Sequence, residues 1–363
     1  KGVCKPSSDC QVYRQLLKQR PLSEERINFL RRLQCNEEDS VCCTKNDMNY
    51  ENPTIQNDPT TKKERVHTLS VAFENRFGGD ELPTLRECGN SLGNKIIGGK
   101  IAGIDDFPWT ALLIYGTSTN TKPQFGCGGG LISRNYVLTA AHCVTGPITD
   151  TKGNLVQVRL GEYNTDTSED CIQEFGGLDC ADPAVDFDVM NVIPHPEYSS
   201  NTRHKYHDIA LIKLARPANY TDFIQPICLP MNGLSNGIMN GQKLAVAGWG
   251  RTDMFRDTRG FQSSPVKLYI RLPIIDISTC SQAYQPSRLI LGPGQVCAGG
   301  KKSEDTCPGD SGSPLMYFSA KDSKWIASGI VSLGLNECGT DGIPGVYTRV
   351  DTYIPWILSI VSA

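Results

Sequence analysis

The strongest chemical signal in the sequence is a serine framed by glycines and acids. In Asp305-Thr306-Cys307-Pro308-Gly309-Asp310-Ser311-Gly312-Ser313-Pro314, Ser311 follows a Gly-Asp pair and stands six residues after Asp305. A hydroxyl attacks an amide only when a neighbouring base takes its proton and a third group orients that base. Thr139-Ala140-Ala141-His142-Cys143 and His207-Asp208-Ile209-Ala210-Leu211 supply both, in the chain order His, Asp, Ser of one triad architecture. Alone, each is an ordinary loop or strand-end residue, and Gly-Asp and Ser-Gly are common turn formers. The assignment rests on the three motifs together. Ser311 is the expected nucleophile, His142 the general base and acid, and Asp208 the buried orienting carboxylate. The backbone N–H groups of Gly309 and Ser311 are the expected oxyanion donors.

Such groups need a rigid frame. From Ile96 onward the chain shows short apolar runs broken by Gly, Pro and Asn. They fall at Trp109–Tyr115, Gly130–Ile132, Val137–Thr139, Val156–Leu160, Ile209–Leu214, Lys243–Ala247, Lys267–Pro273, Trp325–Leu333 and Gly345–Val350. Nine short strands without intervening helices indicate an all-β barrel or sandwich. Only Val350–Ser362 has helical spacing, through Ile354, Ile357, Leu358 and Val361.

At 363 residues the chain exceeds a typical single domain. With 39% hydrophobic and 21% charged residues it has a globular composition, and a net charge of −3 gives no reason to expect nucleic-acid binding. No apolar run approaches the ~20 residues that span a bilayer. The chain begins at Lys1 without a charged-then-apolar leader, so a secretion signal is expected to have been removed. Fifteen cysteines, with no Cys-x-x-Cys pair, favour an oxidising extracellular setting over zinc binding. The odd count leaves one without an intramolecular partner. Residues 1–43 hold five cysteines, residues 44–87 form a cysteine-free polar stretch, and the apolar runs follow.

Residues 96–363 resemble a trypsin-like serine protease of the chymotrypsin fold. The resemblance is carried by Ile96-Ile97-Gly98-Gly99, Asp106-Phe107-Pro108-Trp109, Cys127-Gly128-Gly129, Ala247-Gly248-Trp249-Gly250 and Pro344-Gly345-Val346-Tyr347, besides the triad motifs. It implies two six-stranded antiparallel β-barrels with the site between them and a C-terminal helix. It places Asp305 at the base of the primary pocket, where a carboxylate favours a substrate Arg or Lys. Gly334 and Gly345 match the pocket walls, and Ser332 and Gly334 would pair with substrate backbone. Lys95–Ile96 matches an activation bond, whose cleavage would free the Ile96 ammonium to pair with Asp310. The implied disulfides are Cys127–Cys143, Cys280–Cys297, Cys307–Cys338 and Cys88–Cys228, the last tethering the cleaved light chain. Cys171 and Cys180 most simply close their own loop.

The N-terminal segment, ending Val41-Cys42-Cys43, is similar to the clip domain that precedes such proteases in arthropods. The organisation expected is a clip domain over 1–43, a linker and activation segment over 44–95, and a protease domain over 96–363. The family has six clip cysteines. If the first lies upstream of Lys1, Cys4 pairs with Cys35 and Cys10 with Cys43, leaving Cys42 for that residue. Glu162 matches a family calcium ligand; Asn164 and Thr167 could add carbonyls, and Glu174 or Glu169 a second carboxylate. Asn219-Tyr220-Thr221 is an N-glycosylation sequon. Arg251–Arg259 carries three arginines and reads as an exposed loop, a solvated face or an exosite for an acidic partner. Pro344 stands where sodium-activated relatives carry tyrosine, so sodium activation is not expected. Ser313 and Leu333 depart from a usual glycine and a common aromatic; neither argues against activity.

The resemblance implies a secreted zymogen, working in haemolymph or a similar fluid, that cleaves after Arg or Lys in an innate-immune or developmental cascade. It is similar to Easter-like Spätzle-processing and prophenoloxidase-activating enzymes. An upstream trypsin-like activator, a downstream zymogen or pro-cytokine and a serpin inhibitor are the implied partners, with no nucleic acid and no membrane span. The alternative is an inactive protease homologue acting as an adaptor.

Overall fold

The chain was described from a computed structural model. It describes residues 3–6, 40–43, 82–91, 101–116, 124–174, 177–231, 234, 239–257, 260–301, 306–307, 309–334 and 340–362. Two compact units divide it, Lys1–Asn75 and Arg76–Ala363. In the first, β1 (Val3–Pro6) pairs antiparallel with β2 (Ser40–Cys43), and the register sets Cys4 opposite Cys42. Cys10 and Cys35 lie outside the described residues, and with them the expected Cys4–Cys35 and Cys10–Cys43 bridges.

The second unit contains two closed barrels. Its first half carries β3 (Thr110–Gly116), β4 (Gln124–Leu131), β5 (Tyr136–Thr139), β6 (Asn154–Leu160), β7 (Cys171–Glu174), β8 (Gly177–Cys180), β9 (Val185–Pro194) and β10 (Ala210–Leu214). Six of these close in the order β10-β5-β4-β3-β6-β9, while β7 and β8 form a separate hairpin. Its second half carries β11 (Lys243–Gly248), β12 (Arg251–Asp257), β13 (Gly260–Ser263), β14 (Leu268–Ile275), β15 (Gln295–Gly299), β16 (Pro314–Ser319), β17 (Lys324–Leu333) and β18 (Pro344–Arg349). The second barrel closes as β11-β14-β15-β18-β17-β16. Closure leaves no unpaired strand edge in either barrel.

Several elements differ from the sequence reading. Helices do intervene: α1 (Pro147–Lys152) and α2 (Ile277–Ala283) are one to two turns long, too short to show periodicity. Strand β9 was not among the apolar runs, because Val185-Asp186-Phe187-Asp188-Val189 alternates acids outward with Phe187 buried inward. The terminal helix, α3 (Ile354–Val361), starts later than expected, after a single 3₁₀ turn at Asp351–Tyr353, and Pro355 sits in its first turn. The arginine-bearing stretch is not a loop: β12 pairs with β13 as a hairpin, with Arg259 outside the described residues. Residues 82–91, within the expected linker, belong to the larger unit. Cys88 is bonded to Cys228, and the Gly89 N–H donates to the Pro226 carbonyl at 2.7 Å.

An aromatic seam joins the two barrels. Trp109, just ahead of β3, is fully buried, and its indole N–H reaches the Met316 sulfur of β16 at 3.1 Å. Phe107 packs at 5.3 Å from Trp325 of β17 and 5.6 Å from Tyr269 of β14, in tilted and edge-on geometries that suit aromatic quadrupoles. Trp109 and Trp325 lie 6.2 Å apart. Because a buried tryptophan truncated to alanine costs about 3–5 kcal/mol, Trp325→Ala is expected to lower the thermal midpoint by roughly 10 °C. A calorimetric midpoint within a degree or two of wild type would show that the seam does not hold the barrels together.

Candidate active site

Strand β5 ends at Thr139, and the chain turns through a 3₁₀ turn, Ala141–Cys143, that presents His142. The turn is anchored three ways. Cys143 is bonded to Cys127 of β4, the Tyr115 hydroxyl donates to the Cys143 carbonyl at 2.7 Å, and Thr139 donates to the Gly128 carbonyl at 2.8 Å. Asp208 sits immediately before β10 and is fully buried.

A fully buried carboxylate is costly unless its oxygens are bonded. Asp208 Oδ1 accepts the backbone N–H of His142 at 2.9 Å, and Oδ2 lies 2.8 Å from His142 Nδ1. The Ser332 hydroxyl of β17 donates to Oδ2 at 2.5 Å, and the Thr348 hydroxyl of β18 donates to the Asp208 carbonyl at 2.8 Å. Burial alone would raise this carboxyl. The His142 charge and the hydrogen bonds from His142 and Ser332 outweigh it and hold Asp208 below the ordinary carboxylate value. Ser332 thus has a contact the sequence reading missed. A serine inside the apolar Trp325–Leu333 run was the available signal.

Ser311 comes to this pair from the second half of the chain. Its carbonyl accepts the Gly128 N–H of β4 at 2.8 Å, which ties the Ser311 backbone to the first barrel. Gly312 and Val331 fix the next residues, through Gly312 N–H to the Val331 carbonyl and Val331 N–H to the Ser313 carbonyl. His142 Nε2 lies 3.7 Å from Cys143 Sγ, and among the described residues no hydrogen bond joins it to Ser311 Oγ. The N–H groups of Asp310, Gly312 and Ser313 each have a carbonyl acceptor, whereas those of Gly309 and Ser311 have none among the described residues. Two free donors flanking Asp310 can receive a developing oxyanion. Gly309 has φ 110°, a backbone conformation open to glycine.

Asp310 itself turns away from Ser311. Its Oδ1 accepts the Gly250 N–H and its Oδ2 the Cys307 N–H, both at 3.0 Å. The carboxyl is packed against Gly248 and Gly250; a Cβ on Gly248 would stand 2.8 Å from Oδ1, and one on Gly250 would collide outright. Although Asp310 is half-buried as a residue, this enclosure pushes its carboxyl up to about 6, the two N–H bonds offsetting only part of the effect.

Other expected positions separate. Gly334 is exposed with open space beside it, and Gly345 is buried in β18. Asp305, Lys95, Ile96 and Cys338 lie outside the described residues; Cys307 is disulfide-bonded. The bridges Cys88–Cys228, Cys127–Cys143, Cys171–Cys180 and Cys280–Cys297 are formed. Asn219 is exposed. Ser313 is buried against Gly128, and Leu333 is half-buried.

At the expected calcium loop, Glu162 is buried, bonded to Arg159 at 3.1 Å and to the Tyr163 N–H at 2.9 Å. Burial and the nearby Asp170 raise its carboxyl against the pull of Arg159. Asp170, not singled out from the sequence, accepts the N–H groups of Tyr163 and Asn164 and the Thr167 hydroxyl. Glu162 and Asp170 thus stand as two neighbouring carboxylates in one loop, whose mutual repulsion contributes to the raised Glu162 carboxyl.

The Asp310 carboxyl makes stability depend on pH in the uncleaved chain. It keeps its proton up to about pH 6 when folded, against an ordinary value of 3.8. Between those values the folded state binds more protons than the unfolded, so unfolding free energy falls as pH rises. Two pH units correspond to about 3 kcal/mol. Asp310→Asn lacks this loss, so its stability relative to wild type is expected to grow between pH 4 and 7. Parallel wild-type and variant curves in denaturant titrations across that range would contradict the enclosure.

Comparison with known proteins places this geometry. Residues 96–357 match the family described as Trypsin, and residues 1–43 match the regulatory CLIP domain of proteinases. The chain is 45% identical to CLIP domain-containing serine protease B8 of Anopheles gambiae, over 98% of this chain and 86% of that protein. It is 40% identical to the phenoloxidase-activating enzyme of Bombyx mori, over 99% and 80%. Among solved structures it resembles the Drosophila Grass clip serine protease of the Toll pathway, at 32% identity and a TM-score of 0.64, covering 99% of this chain and 95% of that one. The chain belongs to the trypsin family of serine proteases and carries an N-terminal CLIP domain.

Proposed function

We propose that the protein is a secreted zymogen of an Arg/Lys-directed endopeptidase in an extracellular proteolytic cascade. One observation carries the catalytic reading: His142 is bonded to the buried Asp208 carboxylate, and the Gly309 and Ser311 N–H groups have no acceptor among the described residues. In this reading His142 takes the Ser311 proton as Oγ attacks the scissile carbonyl, and Asp208 stabilises the imidazolium that forms. The two free N–H groups receive the oxyanion, and His142 then protonates the leaving amine. Asp305 selects the basic side chain through the pocket bounded by Gly334 and Gly345, and Ser332 and Gly334 offer backbone to the substrate strand.

Cleavage at Lys95–Ile96 by an upstream trypsin-like protease would free an α-ammonium that pairs with Asp310, a switch of the kind a buried charge pair can operate. The relatives named for melanization, phenoloxidase activation and the Toll pathway support a cascade role, with a downstream zymogen or pro-cytokine as substrate and a serpin as inhibitor. After cleavage at Lys95, an arginyl chromogenic substrate is expected to turn over, and Ser311→Ala to reduce the rate by about a millionfold. An activated wild-type protein no faster than Ser311→Ala would instead identify an adaptor.

Calcium forms part of this proposal. Glu162 and Asp170, with the carbonyls of Asn164 and Thr167, would hold the ion, which would neutralise the paired carboxylates and fix the loop. At a hundredfold excess over its dissociation constant, calcium is expected to add about 2.7 kcal/mol of stability, and Asp170→Asn to remove most of that gain. Equal thermal midpoints of the wild type with calcium and with chelator would exclude the ion.

A further inference from the structure

A second cluster of side chains with ligating chemistry lies beside the catalytic carboxylate and has no role in the mechanism above. His195 follows β9, Glu197 stands two residues on, and His207 directly precedes Asp208. One ligand atom from each of the three lies within 4.8 Å of the others. The two imidazoles are stacked, with centroids 5.0 Å apart and planes 13° apart. His207 Nε2 faces Glu197 Oε2 at 3.8 Å, while its Nδ1 lies 3.2 Å from the Tyr353 hydroxyl. That leaves Nε2 as the ligating nitrogen and gives the ring the outer hydrogen bond that orients metal-binding histidines. Tyr353 and Trp356 also pack against His195, at 5.2 and 5.1 Å between centroids.

His207 is also held at φ 57°, the left-handed region, which a non-glycine residue occupies at a cost. Among the described residues the other three-residue group of this kind, Cys127, His142 and Cys143, is not a site, since its two sulfurs are already bonded to each other.

We propose that His195, Glu197 and His207 form a site for a divalent transition metal of the zinc class, and that its occupation slows turnover by displacing the turn that carries Asp208. Two imidazoles and one carboxylate, with a fourth position open, form a donor set suited to zinc and unsuited to calcium or magnesium. Tetrahedral bonds of about 2.0–2.1 Å would draw the ligand atoms to about 3.3 Å apart. Glu197 is exposed and free to close, but His207 can move only with the peptide that joins it to Asp208. A displacement of about 1 Å in a positioned catalytic group can cost up to a hundredfold in rate. The effect on turnover rests on the protease reading; metal binding does not.

The test is calorimetric titration of zinc chloride into the chelator-treated full chain, beside the double variant His195→Gln, Glu197→Gln. Neither residue belongs to the catalytic machinery, and the variant's thermal midpoint checks that it folds. Wild type is expected to bind one zinc at this site, with affinity at least tenfold weaker in the variant, and calcium is expected not to compete. Absent binding, or equal affinity in both proteins, would overturn the site. In the activated enzyme, zinc is expected to slow arginyl turnover in wild type and not in the double variant. Inhibition equal in both would place the metal on His142 and overturn the regulatory claim, whereas an inactive protein that still binds zinc through these residues would retract only the protease reading.

Discussion

The burial of the Asp208 carboxylate is the constraint on which the site depends. Its partners come from both barrels: His142 from the end of β5 in the first, Ser332 and Thr348 from β17 and β18 in the second. Neither barrel alone can satisfy this charge, and a buried carboxylate with one partner removed is strongly destabilising. The aromatic seam around Phe107, Trp109 and Trp325 supplies the apolar burial that keeps the barrels registered while these polar contacts form. Apolar packing and catalytic geometry therefore reinforce each other.

Asp310 shows the same logic at shorter range. Its carboxyl occupies a space that exists because positions 248 and 250 have no side chain, and the Gly250 N–H bonds it directly. The glycines of Ala247-Gly248-Trp249-Gly250 and the acid of Gly309-Asp310-Ser311 thus describe one local structure from two distant parts of the chain.

Much of this was legible in the sequence, because chemistry confined to a few residue types leaves local signatures. His142, Asp208 and Ser311 each sit within a motif, and runs such as Val137–Thr139 and Ile209–Leu214 coincide closely with β5 and β10. What was missed has physical reasons. β9 alternates instead of running apolar, α1 and α2 are too short for periodicity, and the arginine stretch pairs within its own hairpin. The Ser332 hydroxyl and the Asp170 carboxylate act through contacts that depend on which strands and turns meet, and spacing along the chain does not encode those contacts.

The bond from the Gly128 N–H to the Ser311 carbonyl has a consequence for biosynthesis. The first barrel leaves the ribosome with its histidine and aspartate well before the serine-bearing turn exists. Ser332 and Thr348, which complete the hydrogen bonds to Asp208, emerge later still. A nascent or truncated chain therefore lacks both the turn that carries Ser311 and the second-barrel hydroxyls that complete the burial of Asp208, however well its early strands fold.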